Sequence, residues 1–203
     1  MKLSDAHDYK DEGVCVHPEP SNQYLVAHYK LWDGLNGATT VFDYSLNGLT
    51  GTVSGTNCEP AYEGFKFNGT DDFIDVGTGP NPTKTISIWI KQDDVDGNEY
   101  PIDLNGTDYI SIESGVVTVN GLAGHTLYVN GLAGTSGVTT ITALTWNHIV
   151  VTDSTANNAS DLDIGRVTAA YFAGKISDVR LYSTVLSFPE VKSIYELTKW
   201  RYQ

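Results

Sequence analysis

The chain has 203 residues, 25 of them acidic and 12 basic, for a formal net charge of −13. That balance excludes a protein built to hold nucleic acid or an anionic membrane surface, since both need a surplus of cations; its direct consequence is solubility. No apolar run approaches the roughly 20 residues of a membrane-spanning helix, and the length suffices for one large core without staples.

With 20 glycines, a single methionine and abundant Thr, Ser and Asn, the composition favours many short strands and turns over helices. Residues 1–23 read as an N-terminal arm. They carry Asp5, Asp8, Asp11, Glu12, Pro18, Glu19 and Pro20 with little periodicity; such a segment buries too little apolar surface to order alone. It begins at Met1 and lacks the hydrophobic stretch of a signal peptide, so an unexported chain is the expectation. Cys15 and Cys58 are able to pair, but without an export signal two free thiols are expected.

Leu25–Trp32 is the first strand candidate, with His28 as a structural residue inside it. Asp33 to Gly48 is loop, closed by the Asn47-Gly48 turn signal. Strands follow near Thr50–Val53, Phe65–Phe67 and Phe73–Val76, the last two joined by Asn68-Gly69-Thr70-Asp71-Asp72 as a tight hairpin. Thr85–Lys91 alternates cleanly, placing Ile86, Ile88 and Ile90 inward and Ser87 and Trp89 on the opposite face. An acidic loop, Gln92–Glu99, precedes strands near Tyr109–Ile112 and Val116–Val119. Val119-Asn120-Gly121-Leu122-Ala123-Gly124 then recurs as Val129-Asn130-Gly131-Leu132-Ala133-Gly134, which reads as successive hairpins with Asn-Gly turns. Thr139–Leu144, His148–Thr152 and Leu162–Ile164 are further strands.

Tyr171–Tyr182 reads as one long strand. Period-two alternation puts Ser177, Val179 and Leu181 on one face and Ile176, Asp178, Arg180 and Tyr182 on the other. Such a strand needs partners on both sides and a second sheet over its apolar face. Ser187-Phe188-Pro189-Glu190 is a capping box with Pro in the first turn. Val191, Ile194, Tyr195 and Thr198 follow at helical spacing.

The order of these signals resembles laminin-G-like domains of the concanavalin A-like superfamily. Phe67-Asn68-Gly69-Thr70-Asp71-Asp72-Phe73-Ile74-Asp75-Val76 is similar to their "FDGxDDYVxV" segment, and Thr85–Lys91 to "FTISxWVK". Trp146–Thr152 resembles "WHHVAVT"; Leu162–Arg166 with Phe172–Tyr182 resembles "LxIG" followed by "FxGxIDDVRIY"; Ser187–Tyr195 resembles "LSxxEIxxLY". The resemblance covers residues 24–197. It implies an all-β, two-sheet antiparallel jelly-roll sandwich over residues 24–203, with one short C-terminal helix. Two departures stand out. Tyr128-Val129-Asn130-Gly131 precedes Trp146, where most relatives carry a "YVDG" hairpin after it; that order resembles domains of bacteriophage and marine-virus proteins. Ser177 replaces an Asp that often helps hold a structural calcium in relatives, and a hydroxyl is a poor calcium ligand. No cofactor is therefore expected, with structural calcium as the alternative.

Hydrolases of this superfamily carry an E-x-D-x-x-E strand, whose retaining chemistry needs carboxyls about 5–5.5 Å apart. The chain has no Glu-x-Asp-x-x-Glu. Nor does any Ser-His-Asp set, Cys-His pair or HExxH present itself, so no catalytic residue and no enzyme is expected. The 92–99 loop does not have EF-hand spacing, and His7, His17, His28, His125 and His148 do not have zinc spacing; no metal residue is assigned. Sugar binding is the activity the family implies. It uses aromatic platforms with planar polar partners, and the candidates are Trp89 and Tyr100 with Asp94, Asp96, Asn98 and Asn105.

Three functions remain in view. The first is a non-catalytic virion structural or surface protein, a phage capsid decoration or tail-associated component, with host glycans as adhesion targets. The second is a free-standing, secreted carbohydrate-binding lectin; the third is a glycan-active enzyme. The missing export signal, the polar arm and the hairpin order lead to the first. Its expected partners are other virion proteins, held through residues 1–23, and further copies of itself in a homo-oligomer, with a trimer as the guess.

Overall fold

The computed structural model describes residues 22–33, 39–55, 58–94 and 96–203. Its strands in chain order are β1 (Leu25–Tyr29), β2 (Thr40–Val41), β3 (Gly51–Ser54), β4 (Glu59–Ala61), β5 (Gly64–Asn68), β6 (Phe73–Gly77), β7 (Thr83–Gln92), β8 (Asn98–Asp103) and β9 (Tyr109–Glu113). They continue as β10 (Val116–Asn120), β11 (His125–Val129), β12 (Leu132–Gly134), β13 (Asn147–Asn157), β14 (Leu162–Ile164), β15 (Arg166–Val167), β16 (Ala170–Tyr171) and β17 (Ala173–Tyr182). One helix, α1 (Phe188–Thr198), is followed by a single 3₁₀ turn, Lys199–Arg201.

Two antiparallel sheets face each other. One runs β12-β11-β13-β7-β17-β5-β4, with β1 also on β17; the other runs β10-β9-β8-β14-β6-β3-β2. This is the expected two-sheet β-sandwich. The core between the sheets draws Ile86, Ile88 and Ile90 from β7, as the alternation requires. They meet Ile149 and Val151 of β13, Phe65 and Phe67 of β5, and Ile110 and Ile112 of β9 in one cluster. Each such side chain fully buried is worth about 1.5–3 kcal/mol.

Four local expectations are corrected. Asn68–Asp72 is not a hairpin, because β5 and β6 belong to different sheets. Asn68 Oδ1 accepts the N–H groups of Thr70, Asp71 and Asp72, and that side-chain cradle turns the chain across the sandwich. The first Asn-Gly repeat behaves likewise, since β10 and β11 also lie in different sheets. The second repeat does close a hairpin, β11–β12, with Asn130 at φ 51° and Gly131 at φ 75°, the paired positive values of a type I′ turn. Thr139–Leu144 forms no strand; it contributes one isolated bridge, Val116 to Thr140.

The fourth correction concerns β17. Ser177 pairs Trp89, but the next partner of Ser87 is Arg180, so β17 holds one extra residue there. That bulge resets the alternation. Ile176 therefore shares the core with Val179 and Leu181, instead of facing away from them. The bulge also marks a change of neighbour: β5 pairs Ala173–Ile176, and β1 pairs Val179–Tyr182.

The outer face of the first sheet is covered by α1. Glu190 accepts from the Ser187 N–H at 2.7 Å and from Ser187 Oγ at 2.6 Å, anchoring the helix start as the capping box predicts. Val191 and Ile194 pack on Val150 and Tyr182 with Leu186. Trp89, 2% exposed, stacks on His148 at 4.9 Å, Tyr195 at 5.8 Å and Tyr202 at 4.3 Å between ring centroids. Its Nε1 donates to Thr198 Oγ1 at 2.9 Å. Replacing Trp89 by Ala empties the joint between sheet and helix, and urea denaturation is expected to show a loss of about 3–5 kcal/mol. A loss under 1 kcal/mol would mean that the helix is held elsewhere.

Candidate functional site

The bulge in β17 generates the most polar buried cluster on the covered face. Asp178 takes a left-handed φ of 46°, uncommon outside glycine. Its N–H donates to the Lys30 carbonyl at 3.1 Å, and Ser177 Oγ donates to the same oxygen at 3.2 Å. The Asp178 carboxylate accepts from Arg180 Nε at 2.8 Å and Nη2 at 2.9 Å. His28 Nε2 lies 2.8 Å from its Oδ1. Burial works against the Asp178 charge, but the Arg180 guanidinium and the His28 ring outweigh it and hold the carboxyl well below the usual carboxylate range.

Above this cluster is a cavity of about 210 Å³, lined by Trp32, Asp178, Arg180, Thr198, Trp200 and Arg201, with Leu197 and Tyr202 completing the wall. The 3₁₀ turn after α1 places these last residues. Tyr202 forms the floor: its hydroxyl donates to Ser177 Oγ at 2.9 Å, and its ring packs on Trp89 and on Trp146, 4.8 Å away. Trp200 is 69% exposed, with its Nε1 donating to the Leu197 carbonyl at 2.7 Å. The Arg201 guanidinium lies 4.2 Å from the Trp32 ring centroid and 5.3 Å from that of Trp200. Among the described residues, no carboxylate is within ion-pair distance of Arg201. The aromatic surface continues past His28 to Tyr44, which carries Lys30 Nζ 3.8 Å from its ring centroid, and to Phe42.

None of the residues expected from the sequence lines this cavity. Trp89 cannot serve as an exposed platform, because the helix and Tyr202 cover it. Its strand alternation does place it outside the sandwich core, as expected, but on the face that α1 occupies. Asp94, Asp96 and Asn98 are exposed, and Asp94 Oδ1 accepts the Asp96 N–H at 2.9 Å. Tyr100 follows in β8, half-buried against Tyr109 at 6.1 Å. Asn105 spends its amide on the 103–108 turn: Oδ1 accepts from Thr107 and Asp108, and Nδ2 donates to Asp108 and to the Asn158 carbonyl. The structure thus gathers Asp94, Asp96, Asn98 and Tyr100 along one loop and strand, and separates Trp89 and Asn105 from them.

Two carboxyl features escaped the sequence reading. Glu99, at the end of the acidic loop, is buried and accepts the Ala173 N–H at 2.6 Å. Burial pushes its carboxyl up to about 7; the Ala173 N–H pulls it back, and Asp94 and Asp93 add to the rise. Asp103 and Asp163 stand directly opposite each other on β8 and β14, both buried. Asp163 accepts from Arg166 Nη2 at 2.6 Å and Nε at 2.9 Å. Burial pushes the Asp163 carboxyl up to about 6 against the pull of Arg166. Both carboxyls are almost wholly buried. Among the described residues, no three His, Cys, Asp or Glu side chains are grouped so as to hold a metal ion. Ser177 is bonded to the Lys30 carbonyl and to Tyr202. Cys58 is a free thiol; Cys15 and the arm up to residue 21 lie outside the described residues.

No protein-family model matches this sequence, and no curated protein matches it. Solved structures do match in fold. Domain 4 of AbnA, a GH43 extracellular arabinanase of Geobacillus stearothermophilus solved in complex with arabinotriose, superposes with a TM-score of 0.57 at 15% identity, over 85% of this chain and 98% of that one. A Trypanosoma rangeli sialidase mutant displaying trans-sialidase activity gives 0.62 at 15% identity, over 90% of this chain. The receptor-binding domain of a botulinum neurotoxin C/D mosaic serotype gives 0.51 at 14%, over 88% of this chain. The chain spans 34% of the sialidase and 52% of the toxin domain. At these identities the likeness is one of fold, a two-sheet β-sandwich.

The raised Glu99 carboxyl has a measurable consequence. A folded-state value of about 7 above an ordinary 4.5 means that the native state holds an extra proton between those limits. Its stabilising contribution is full below about pH 4.5 and lost as pH rises toward 7. Glu99→Gln keeps an acceptor for Ala173 and removes the titration. Urea unfolding at pH 4.5, 6 and 7.5 is expected to show the variant gaining on the wild type as pH rises; a pH-independent difference would sink the assignment.

Proposed function

We propose that this chain is a non-catalytic carbohydrate-binding protein whose sugar site is the cavity between Trp32 and Trp200. The observation that carries the reading is Trp200, an indole left 69% exposed at the mouth of a cavity with polar groups inside it. A sugar ring presents C–H faces that stack on an indole and hydroxyls that need donors and acceptors. Asp178 and Arg180 line that cavity fixed in position by each other. The fold alone licenses no activity, but the arabinanase domain of similar fold was solved with arabinotriose, which is consistent with this reading. Calorimetry and a glycan array on the purified chain test it. Trp200→Ala is expected to weaken glycan binding about tenfold or more, as loss of an aromatic anchor does, with an unchanged melting temperature. An array with no bound glycan, or a variant that binds as the wild type does, would overturn the site.

The finer part of the proposal is that the sandwich is a laminin-G-like domain displayed on a virion, attached through residues 1–23 and arranged as a homo-oligomer. What supports it is the order of the sequence motifs, the β11–β12 hairpin preceding β13, and the polar composition of residues 1–23. Deleting residues 1–23 is expected to leave the melting of the sandwich nearly unchanged and to abolish co-sedimentation with particles. Unfolding of the truncated chain would retire the virion assignment.

A further inference from the structure

The cavity adjoins a row of like charges. Lys175 of β17 stands directly opposite Lys66 of β5 on one side and Lys91 of β7 on the other. Side chains in such register are about 5 Å apart at Cβ, and like charges so placed repel. Glu63 reaches Lys175 at 3.0 Å. Lys175, with Lys91 assisting, holds the Glu63 carboxyl below its usual range. Glu59 stands opposite Lys66 in register. Ser177, two residues from Lys175 on the same face, carries Tyr202. The row therefore begins about 7 Å along the strand from the cavity floor. Arg180 and Arg201 lie on the other side of that floor.

These are five of the chain's 12 basic residues. Among the described side chains, the carboxylates that reach these five are Glu63 on Lys175 and Asp178 on Arg180, so this face is locally cationic on a molecule of net charge −13. The lysines in register repel one another, and Arg201, held over the Trp32 ring, has no carboxylate partner among the described residues. Both are relieved by an anionic occupant. The adjoining indoles select a flat, ring-bearing one, and the net negative charge of the whole molecule repels long polyanions such as nucleic acid.

We propose that the ligand is an acidic oligosaccharide, carboxylated or sulfated, with one sugar between Trp32 and Trp200 against Arg201 and the next anionic group on Lys66 and Lys91. This rests on the cavity being the sugar site. The test is calorimetry on the full chain with four probes: a trigalacturonate, its carboxyl-reduced neutral counterpart, a sulfated chondroitin tetrasaccharide, and a 12-base-pair DNA duplex. Acidic sugars are expected to bind more tightly than the neutral counterpart, and to weaken as salt rises. The trigalacturonate and chondroitin arms separate carboxylate from sulfate recognition. The Lys66→Gln/Lys91→Gln pair is expected to weaken acidic binding about tenfold, the sum for two exposed charge contacts, while neutral-sugar binding holds; Arg201→Gln, a change inside the cavity, is expected to weaken acidic binding more than neutral binding. If acidic sugars bind but neither variant weakens them, the proposed seats are wrong. Binding of the neutral sugar alone would overturn the acidic assignment and leave the cavity reading standing. Binding of no sugar would overturn both, as would preference for the duplex.

Discussion

Asp178 is a carboxylate, 1% exposed, held at positive φ in the middle of the strand that three others pair with. An isolated charge there would be untenable. It persists because Arg180 and His28 both reach it at 2.8 Å, one from its own strand and one from β1. The extra residue that places Asp178 also lets β17 exchange β5 for β1 as its neighbour. It keeps Ile176, Val179 and Leu181 in a single core despite the interruption. The ion cluster and the core register are thus one constraint. The bulge cannot be straightened without turning either the apolar residues or the charges to the wrong face.

From that cluster the structure extends outward through aromatic rings. Trp89 stands one strand away, opposite Ser177. Its stack with His148, Tyr195 and Tyr202 connects the sheet to the helix and to the turn after it. His148 is fully buried, with Nε2 2.9 Å from Ser87 Oγ. Burial lowers its affinity for a proton to a value of about 3, so the ring is neutral and behaves as one more flat surface in the stack. The stack pins Tyr202 down as the cavity floor, while Trp200 and Arg201 from the same turn line its wall.

Much of the sandwich was legible in the sequence because period-two alternation survives wherever a strand is regular, as in β7. It failed where side chains, not backbone periodicity, decide the path. Asn68 folds three N–H groups around one oxygen and converts an apparent hairpin into a crossing between sheets. The β17 bulge is equally silent in sequence: Ser177-Asp178 reads as ordinary alternation until Lys30 supplies a carbonyl to both residues. The cavity was less legible still. Trp32 and Trp200 are 168 positions apart, and the run Lys199-Trp200-Arg201-Tyr202 follows the last motif with a family likeness. The dense aromatic and basic character of that run was the available signal.

The acidic loop and the cavity differ in how their side chains are spent. Asn105 and Asp94 have the chemistry to hold a sugar, yet Asn105 has its amide oxygen and nitrogen committed to its own turn and to the Asn158 carbonyl, and Asp94 closes a local turn. Short polar side chains satisfy nearby backbone before anything else, because the partner is already within reach and little further entropy is lost. Long or flat side chains satisfy themselves less completely: Trp200 gives its Nε1 to the Leu197 carbonyl and still stays 69% exposed. Arg201 and Trp200 are too large to fold back fully on their own turn, so their remaining surface faces the cavity. In this sandwich the unspent capacity therefore lies with the large side chains around the cavity, not with the dense small polar ones of the loops.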